Sequence, residues 1–318
     1  MNAERHRWRG PLRAAVVGVG HLGTFHAEKY AVAPGCTLVA VADIDLERAE
    51  ALAARLGCRA VRDVREVLGE IDCASVAVPT LFHAEVANSL LDAGIDCLVE
   101  KPLARDTAEG RALVERARAG GCLLQVGHLE RFNPALIRLA TTITKPRFIE
   151  CHRLAPFTPR GADVDVVRDL MIHDLDLISL LVGRPVERID AVGVKILTSR
   201  VDLANARLRF EGGGVANITA SRVSAKRERK LRIFQSDAYL AFDLADANVK
   251  VARRRLGENG EPVIEWQEHD LAAGDALAAE IHAFLASVRT RSRPAVPGED
   301  GVAALELCER ILDVMEVE

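Results

Sequence analysis

The pattern of apolar and polar positions divides the chain into two parts. From residue 13 to residue 125, short apolar runs alternate with longer amphipathic stretches, which is typical of parallel βαβ units. The apolar runs predict strands at residues 14–17, 37–42, 73–78, 97–99 and 122–126. The stretches between them predict helices at residues 24–30, 46–56, 83–93 and 108–119. This part therefore predicts a parallel, doubly wound sheet.

The pattern changes after Gly127, where consecutive strand-like segments replace the alternation. We predict helices from residue 134 and at 166–181, 275–290 and 301–317, and strands at 148–153, 186–197, 203–210, 215–221, 230–235 and 238–242. Successive strands joined by short turns indicate an antiparallel sheet. The predicted fold is an α/β Rossmann domain over residues 1–126, followed by an α+β domain with an open, mostly antiparallel sheet over residues 127–318. The last helix is free to pack back on the first domain.

Composition narrows the class of protein. The chain has 318 residues, more than a single core usually serves, in keeping with two domains. No apolar run is long enough to cross a membrane, and the basic start of the chain lacks the apolar stretch of a secretion signal. The net charge is −4 without a basic stripe interleaved with aromatic residues, so we expect no nucleic-acid partner. The seven cysteines show no metal-binding spacing and indicate a reducing, cytoplasmic compartment.

A glycine-rich turn follows the first predicted strand and has the sequence Gly18-Val19-Gly20-His21-Leu22-Gly23. In this spacing the first glycine permits a tight strand-to-helix turn and the second lets the backbone approach a pyrophosphate. The third lets the helix lie close to the sheet. The pyrophosphate would lie at the helix N-terminus, which favours an anion. The motif predicts a dinucleotide site.

The second predicted strand ends on Asp43, at the distance from the glycines where a carboxylate can bind the adenosine ribose diol. A carboxylate would repel a 2′-phosphate, so we expect NAD as the cofactor. Two alternatives stay open. Asp43 could instead cap the helix that begins at Leu46, a role that Asp45 can also fill. Arg48 lies within reach of a 2′-phosphate, which keeps NADP as an alternative.

The strand predicted at residues 97–99 runs directly into Glu100-Lys101-Pro102. This segment lies at the carboxyl edge of the sheet, where doubly wound folds bind their ligands. Proline fixes the turn, so Lys101 is held at the mouth of the cleft. A lysine at a strand end is often only a solvated charge. The position beside the expected nicotinamide favours a catalytic role here.

A second candidate cluster lies on the helix predicted at residues 166–181. Asp169 and His173 are one helical turn apart, and Asp176 follows the histidine by three residues. A carboxylate beside a histidine can orient it as a general base. The alternative is an ion pair on the helix surface. No third ligand with a recognisable spacing accompanies the pair, so we expect no metal site.

Three features together resemble the GFO/IDH/MOCA family of sugar and polyol dehydrogenases: the glycine turn, the Glu100-Lys101-Pro102 segment, and Asp169 with His173. The resemblance covers nearly the whole chain. It implies a Rossmann domain, an open-sheet domain used in dimers or tetramers, and a reaction centre lined by Lys101, Asp169 and His173. It also implies that the segment with Pro79, Thr80 and His83 passes the cofactor. The predicted NAD-binding residues are Gly18, Gly20, His21, Leu22, Gly23, Asp43, Pro79, Thr80, His83, Glu100 and Lys101.

A narrower resemblance lies in the segment His128-Leu129-Glu130-Arg131-Phe132-Asn133-Pro134. Many family members have an Asn-Arg-Arg-Phe type sequence here. The version in this chain is similar to that of the members that oxidise the 3-hydroxyl of UDP-N-acetylglucosamine on the route to a diamino sugar of lipid A. That resemblance implies a nucleotide-sugar substrate, whose diphosphate suits guanidinium groups. The candidate substrate residues are Glu130, Arg131, Asn133, Arg160 and Arg168, with Arg153 as a further arginine.

Three alternatives stay open. Either His173 or Lys101 could take the hydroxyl proton, with Lys101 stabilising the developing alkoxide. The substrate could be a free polyol such as inositol, which has little use for diphosphate-binding arginines. The chain could also be a catalytically idle NAD-binding regulator, against which the presence of both Lys101 and His173 argues.

Overall fold

A computed structural model of the chain describes residues 10–158, 164–246, 248–271 and 274–318. By their contacts the residues form two compact units. One consists of Met1–Leu129 and Asp275–Ala303, and the other of Glu130–Gly274 and Ala304–Glu318. Within the described ranges, no helix combines the length and the apolar character needed to cross a bilayer.

The helices and strands are as follows. The helices are α1 (His21–Val32), α2 (Leu46–Leu56), α3 (His83–Asp92), α4 (Thr107–Gly120), α5 (Pro134–Leu139), α6 (Ile172–Val182), α7 (Ala276–Thr290) and α8 (Gly298–Val314). The strands are β1 (Leu12–Val17), β2 (Cys36–Ala42), β3 (Arg59–Val61), β4 (Cys73–Val76), β5 (Asp96–Glu100), β6 (Leu124–Gly127), β7 (Phe148–Leu154), β8 (Val186–Val194), β9 (Leu203–Phe210), β10 (Val215–Ser221), β11 (Glu228–Phe234), β12 (Ala238–Asp243), β13 (Asn248–Leu256), β14 (Pro262–Asp270) and β15 (Glu316–Val317). Short 3-10 turns lie at Val64–Glu70, Thr80–Phe82, Leu129–Phe132 and Ala140–Thr142, and a π-helical turn at Val167–Met171.

The first unit is built on a six-stranded sheet in the order β3-β2-β1-β4-β5-β6, and every neighbouring pair is parallel. This confirms the predicted doubly wound sheet. The short strand β3 was not predicted, and α1 begins at His21 rather than at Thr24. The strand order reverses between β1 and β4, the point at which such sheets bind their ligand.

Helix α7 packs in the core of this first unit. Its residues Ile281, Phe284 and Val288 are buried in one apolar cluster with Leu12 of β1 and Tyr30 of α1. Burial of large apolar side chains is the main term that holds such an element in place. The sequence-based division at residue 126 groups α7 with the second domain. That division stays a prediction about separately folding domains.

The second unit contains a nine-stranded sheet in the order β14-β13-β12-β11-β7-β10-β9-β8-β15. Its pairs are antiparallel except for β7 with β10 and β8 with β15, so the predicted open, mostly antiparallel sheet is confirmed. Strands β13 and β14 were not predicted. The helix predicted to reach Val317 ends at Val314, and residues Glu316–Val317 pair with β8 instead. The side chain of Met315 occupies the space beside Gly193 of β8, which fixes the chain at that strand.

Candidate active site

The glycine turn joins β1 to α1, and its three glycines have different surroundings. Gly18 has a φ of +82°, and a Cβ on it would lie 2.8 Å from the backbone nitrogen of Val78. A Cβ on Gly23 would collide with the carbonyl oxygen of Gly18, because α1 packs directly on the turn. A Cβ on Gly20, the N-cap of α1, would meet nothing within 4 Å. The backbone at Gly20 is therefore open to a ligand, and the free N–H groups of α1 suit a pyrophosphate.

Asp43 is buried at the end of β2, beside this turn. Its Oδ2 accepts a hydrogen bond from the backbone N–H of Val19 at 2.8 Å, and its Oδ1 accepts one from the N–H of Asp45 at 2.9 Å. Nη1 of Arg48 lies 3.4 Å from Oδ2. Asp45 caps α2, so Asp43 is not used as the cap of that helix. The carboxylate is fixed beside the glycine turn, and together with the open backbone at Gly20 it fits a dinucleotide; contact of Asp43 with the ribose stays a prediction.

The loop after β4 is tied to the turn after β5 by His83. Pro79 and Thr80 lie within this loop, and His83 follows at the start of α3. Its Nε2 lies 2.9 Å from the carbonyl oxygen of Val78 and its Nδ1 lies 2.8 Å from that of Pro102. Burial lowers the pKa of His83, and the neutral ring carries one N–H, so it donates to one of the two carbonyl oxygens and contacts the other. The histidine therefore joins the two loops, and contact of Pro79, Thr80 or His83 with a cofactor stays a prediction.

Glu100 and Lys101 stand at the carboxyl end of β5. The Glu100 carboxylate accepts a hydrogen bond from Nε2 of His26 at 2.9 Å and one from the backbone N–H of Lys101 at 3.2 Å. A Cβ on Gly127, at the end of β6, would lie 3.0 Å from this carboxylate. The glycine therefore leaves the space that the Glu100 side chain occupies. Burial opposes ionisation of Glu100, but the hydrogen bond from His26 outweighs it, and the pKa of Glu100 is lowered. The half-buried Lys101 thus follows a firmly held, ionised carboxylate.

Sequence reasoning missed the residues behind Glu100. Nδ1 of His26 is 3.1 Å from Oγ of Ser75, which is 2.9 Å from the hydroxyl of Tyr30. All three side chains are fully buried. A signal was present, because His26 and Tyr30 follow Gly23 by three and seven residues, the spacing of one buried helix face.

Asp169 and His173 lie in the second unit, where the structure departs from the predicted regular helix. Residues Val167–Met171 form a π-helical turn that contains Asp169, and α6 begins directly after it. Both side chains are half-buried. π-helical turns are rare and occur frequently at functional sites. The pair is held on one short segment, as expected, and its catalytic role stays a prediction.

A buried charge network adjoins this segment within the second unit. Nε and Nη2 of Arg153 each donate to an oxygen of Asp174 at 2.9 Å, and Nη1 donates to Glu130 at 3.0 Å. Burial alone would lower the pKa of Arg153, but the two carboxylates outweigh it and raise that pKa. Burial also raises the pKa of Asp174. Asn133 caps α5 and donates to the carbonyl oxygen of Leu244 at 3.2 Å.

The arginines predicted to bind a diphosphate are paired with carboxylates where the structure describes them. Nε of Arg131 donates to Oδ2 of Asp176 at 2.7 Å, and both side chains are buried. Asp176, predicted to accompany His173, therefore binds Arg131. Arg168 pairs with Asp165 at 2.8 Å, and Arg160 lies outside the described residues. A phosphate would compete with these carboxylates, and the substrate roles of Glu130, Arg131, Asn133, Arg160 and Arg168 stay predictions.

Comparison with known proteins matches both parts of the chain. Residues 12–128 match the model of the oxidoreductase family with an NAD-binding Rossmann fold, and residues 140–241 match the GFO/IDH/MocA C-terminal domain. A UDP-N-acetylglucosamine 3-dehydrogenase from Acidithiobacillus ferrooxidans is 42% identical over 95% of this chain and 96% of its own length. A crystal structure of that enzyme superimposes with a TM-score of 0.91 at 40% identity, covering 96% of this chain and 97% of the other.

Two more distant proteins share the same architecture. A myo-inositol 2-dehydrogenase from Thermotoga maritima is 26% identical over 93% of this chain and 94% of its own length. A levoglucosan dehydrogenase in complex with NADH is 19% identical with a TM-score of 0.85 over 96% of each chain, which shows a common fold. Since the similarity to the Acidithiobacillus enzyme runs through both units, the chain belongs to the GFO/IDH/MocA family of NAD-binding oxidoreductases.

Proposed function

We propose that the chain is an NAD-dependent dehydrogenase that oxidises the 3-hydroxyl of UDP-N-acetylglucosamine to the 3-keto nucleotide sugar. The observation that carries this proposal is the 42% identity to an enzyme of that name over 95% of the chain. The first unit supports it with an open backbone at Gly20 and a buried carboxylate at Asp43, which fit the pyrophosphate and ribose of NAD.

Oxidation of a secondary alcohol to a ketone requires a proton acceptor and is favoured by a nearby cation. When bound, NAD would supply the hydride acceptor for C3, and the protein's own residues would have to take the hydroxyl proton as the C–O bond becomes a carbonyl. We assign this proton to His173 or Lys101, and we assign Asp169 to orient His173. A cation at Lys101 would also stabilise the alkoxide that develops before the hydride leaves. The Glu100 carboxylate supports this role, because it accepts a hydrogen bond from the backbone N–H of Lys101 and so fixes the start of the lysine side chain.

The substrate side of the proposal rests on the second unit. Of the two candidates Arg131 and Arg168, Arg168 is better suited to a diphosphate, because its side chain is 29% exposed while that of Arg131 is 9% exposed. The side chains of Arg131, Glu130 and Asn133 are buried, so we propose that they hold in place the residues that line the substrate site. Arg160 completes the set by its position in the sequence.

We further propose a homodimer or homotetramer in the cytoplasm, acting in lipopolysaccharide synthesis. Strand β14 supports the assembly, since Ile264 and Trp266 are 64% and 60% exposed at the edge of the open sheet. Apolar surface of this kind is typical of an interface. The seven cysteines have no metal-binding spacing, which suits a reducing compartment.

The test is turnover with a panel of substrates. The protein is incubated with NAD and UDP-N-acetylglucosamine, UDP-glucose, UDP-N-acetylgalactosamine, myo-inositol or scyllo-inositol, and the absorbance of NADH is followed. Hydroxylamine is added to trap the ketone, because oxidation of a secondary alcohol by NAD is uphill. We expect NADH and a 3-oxime with UDP-N-acetylglucosamine. NADH with an inositol alone would instead favour the function of the Thermotoga relative, and NAD binding without turnover of any sugar would favour a regulator.

A further inference from the structure

A second carboxyl group is buried behind the Glu100-Lys101 turn. Glu280 of α7 is fully buried, and neither of its carboxylate oxygens has a hydrogen-bond partner among the residues that the structure describes. One of its oxygens, a ring nitrogen of His26 and an oxygen of Glu100 all lie within 4.8 Å of one another. Each of these residues belongs to the first unit. Two carboxylates at this separation in an apolar interior cannot both be ionised without a large penalty.

The hydrogen bonds decide which carboxyl keeps its charge. If Tyr30 donates to Ser75, Ser75 can donate to Nδ1 of His26, and Nε2 of His26 then donates to Glu100. In this direction each donor among the four side chains has an acceptor. If each hydrogen bond ran the other way, from Glu100 towards Tyr30, the buried Tyr30 hydroxyl would have no acceptor. Glu100 also accepts the N–H of Lys101. Glu100 is therefore the ionised member, and Glu280 has no donor that would stabilise a charge.

The polar and titratable groups near Glu280 come from three elements, β6, β5 and α1. Oε1 of Gln125 on β6 has no hydrogen-bond partner, and Nε2 of Gln125 is 3.5 Å from the backbone carbonyl oxygen of Glu280. From the end of β5 the carboxylate of Glu100 faces the same space, with Lys101 and His83 beyond it. From α1 come His26 and Tyr30. A proton on Glu280 would place a donor within 4.8 Å of an oxygen of Glu100, which can only accept when ionised.

We propose that Glu280 is a neutral carboxylic acid that acts as a positioning residue: it shares the interior site with the ionised Glu100 and, through Glu100, fixes the backbone of Lys101. Burial and the charge of Glu100 raise the pKa of Glu280 well above its ordinary value, in keeping with this state. The role of Lys101 in turnover rests on the proposed function. The charge state and the position of the turn do not.

The charge state is tested by the pH dependence of stability. A carboxyl whose pKa is higher in the folded protein than in the unfolded chain loses stability as the pH rises above the unfolded value. In Glu280→Gln the amide has nearly the same shape as the carboxyl group but does not ionise, so the stability of the variant does not include the cost of keeping a carboxyl protonated. We therefore expect the difference in melting temperature, Glu280→Gln minus wild type, to increase from about pH 5 to about pH 8. The exposed Glu50→Gln on α2 is the matched control and should follow the wild type at every pH.

The positioning role is tested without a substrate. The amines of the full chain are acylated with an N-hydroxysuccinimide ester, and the rate at each lysine is followed by peptide mass spectrometry. In Glu280→Leu, which has no donor, we expect the rate at Lys101 to change beyond the spread among the other lysines, and in Glu280→Gln to stay within it. Glu280→Met serves in the same way where leucine does not fold. With turnover established, kcat of the leucine variant should fall by about tenfold to a hundredfold with little change in KM for NAD.

Several results would overturn the proposal. One is a stability loss in Glu280→Gln that is the same at every pH, which would mean that Glu280 is ionised. Another is a stoichiometric divalent cation in the purified protein that disappears in Glu280→Gln, measured by elemental mass spectrometry. A third is unchanged acylation of Lys101 in both apolar variants. Absence of turnover with UDP-N-acetylglucosamine would contradict the proposed function alone, since the pH and acylation measurements need no substrate.

Discussion

Replacing Arg153 by methionine should destabilise the second unit far more than replacing a half-exposed arginine. Arg153 makes hydrogen bonds of 2.9, 2.9 and 3.0 Å to two carboxylates, and its side chain is 4% exposed. Methionine fills much of the same volume but leaves Asp174 and Glu130 without this cation. Breaking a buried ion pair in this way costs about 3–5 kcal/mol of unfolding free energy.

The loss should depend on pH in a defined direction. Burial already raises the pKa of Asp174 with Arg153 present, and removal of the guanidinium raises it further. A carboxyl with a raised pKa in the folded state costs stability above its unfolded pKa, and the cost disappears as protonation neutralises it. The destabilisation should therefore be larger at about pH 8 than at about pH 5. The difference should be about 1.4 kcal/mol for each unit by which the substitution raises the pKa of Asp174 within this pH range.

Urea unfolding followed by circular dichroism at the two pH values measures both effects. The matched control is Arg168→Met, which breaks the pair with Asp165 on the same unit. Because Arg168 is more exposed, its loss should be less than about 1 kcal/mol. Equal losses in the two variants, or a loss in Arg153→Met that does not change with pH, would refute the argument that burial sets the value of this pair.

Further predictions concern the cofactor, the reaction and the assembly. Lys101→Ala and His173→Ala should each lower kcat about a hundredfold or more, roughly 3 kcal/mol, with little change in NAD affinity; near-normal turnover in either variant would remove that residue from the reaction. NAD should bind at least about tenfold more tightly than NADP in calorimetric titrations because of Asp43, and equal affinities would contradict this. Gly20→Ala should fold like the wild type but bind NAD more weakly, whereas Gly23→Ala should lose stability, since only the second Cβ meets the backbone; the same melting temperature for both would be inconsistent with the turn as described. Light scattering should show a dimer or tetramer at micromolar protein, and a monomer would exclude assembly through the open sheet.

The sequence predicted what depends on periodicity and on local turn chemistry. The apolar runs before Gly18, Asp43 and Lys101 identified three parallel strands, and the motifs at their ends followed from them. Asp45 could be considered as a helix cap because capping is a local interaction. Strand β14 and the second half of β13 were missed because they are largely polar and exposed, and the alternation in β13 is confined to its first residues, where Val249 and Val251 are buried.

Other features were missed because they depend on contacts distant in sequence. Glu280 lies about 180 residues from Glu100, and no local pattern joins them. The π-helical turn around Asp169 has the sequence of an ordinary helix. Arg153 is an intermediate case. It follows the buried Ile149 and Cys151 at intervals of two residues along β7, so it lies on the same face of the strand. A charged residue in that register needs a buried counter-charge, although the sequence does not say which.

The tie that His83 makes between the carbonyl oxygens of Val78 and Pro102 has a thermodynamic consequence. Two crossover loops joined by one rigid ring cannot rearrange independently, so a displacement of the first is transmitted to the second. Any free energy by which an occupied nucleotide pocket favours one arrangement of Lys101 must reappear, with equal size, as an effect of the lysine on nucleotide affinity. Cutting this contact with His83→Ala should therefore let the two loops open independently, which hydrogen exchange of their backbone amides would measure.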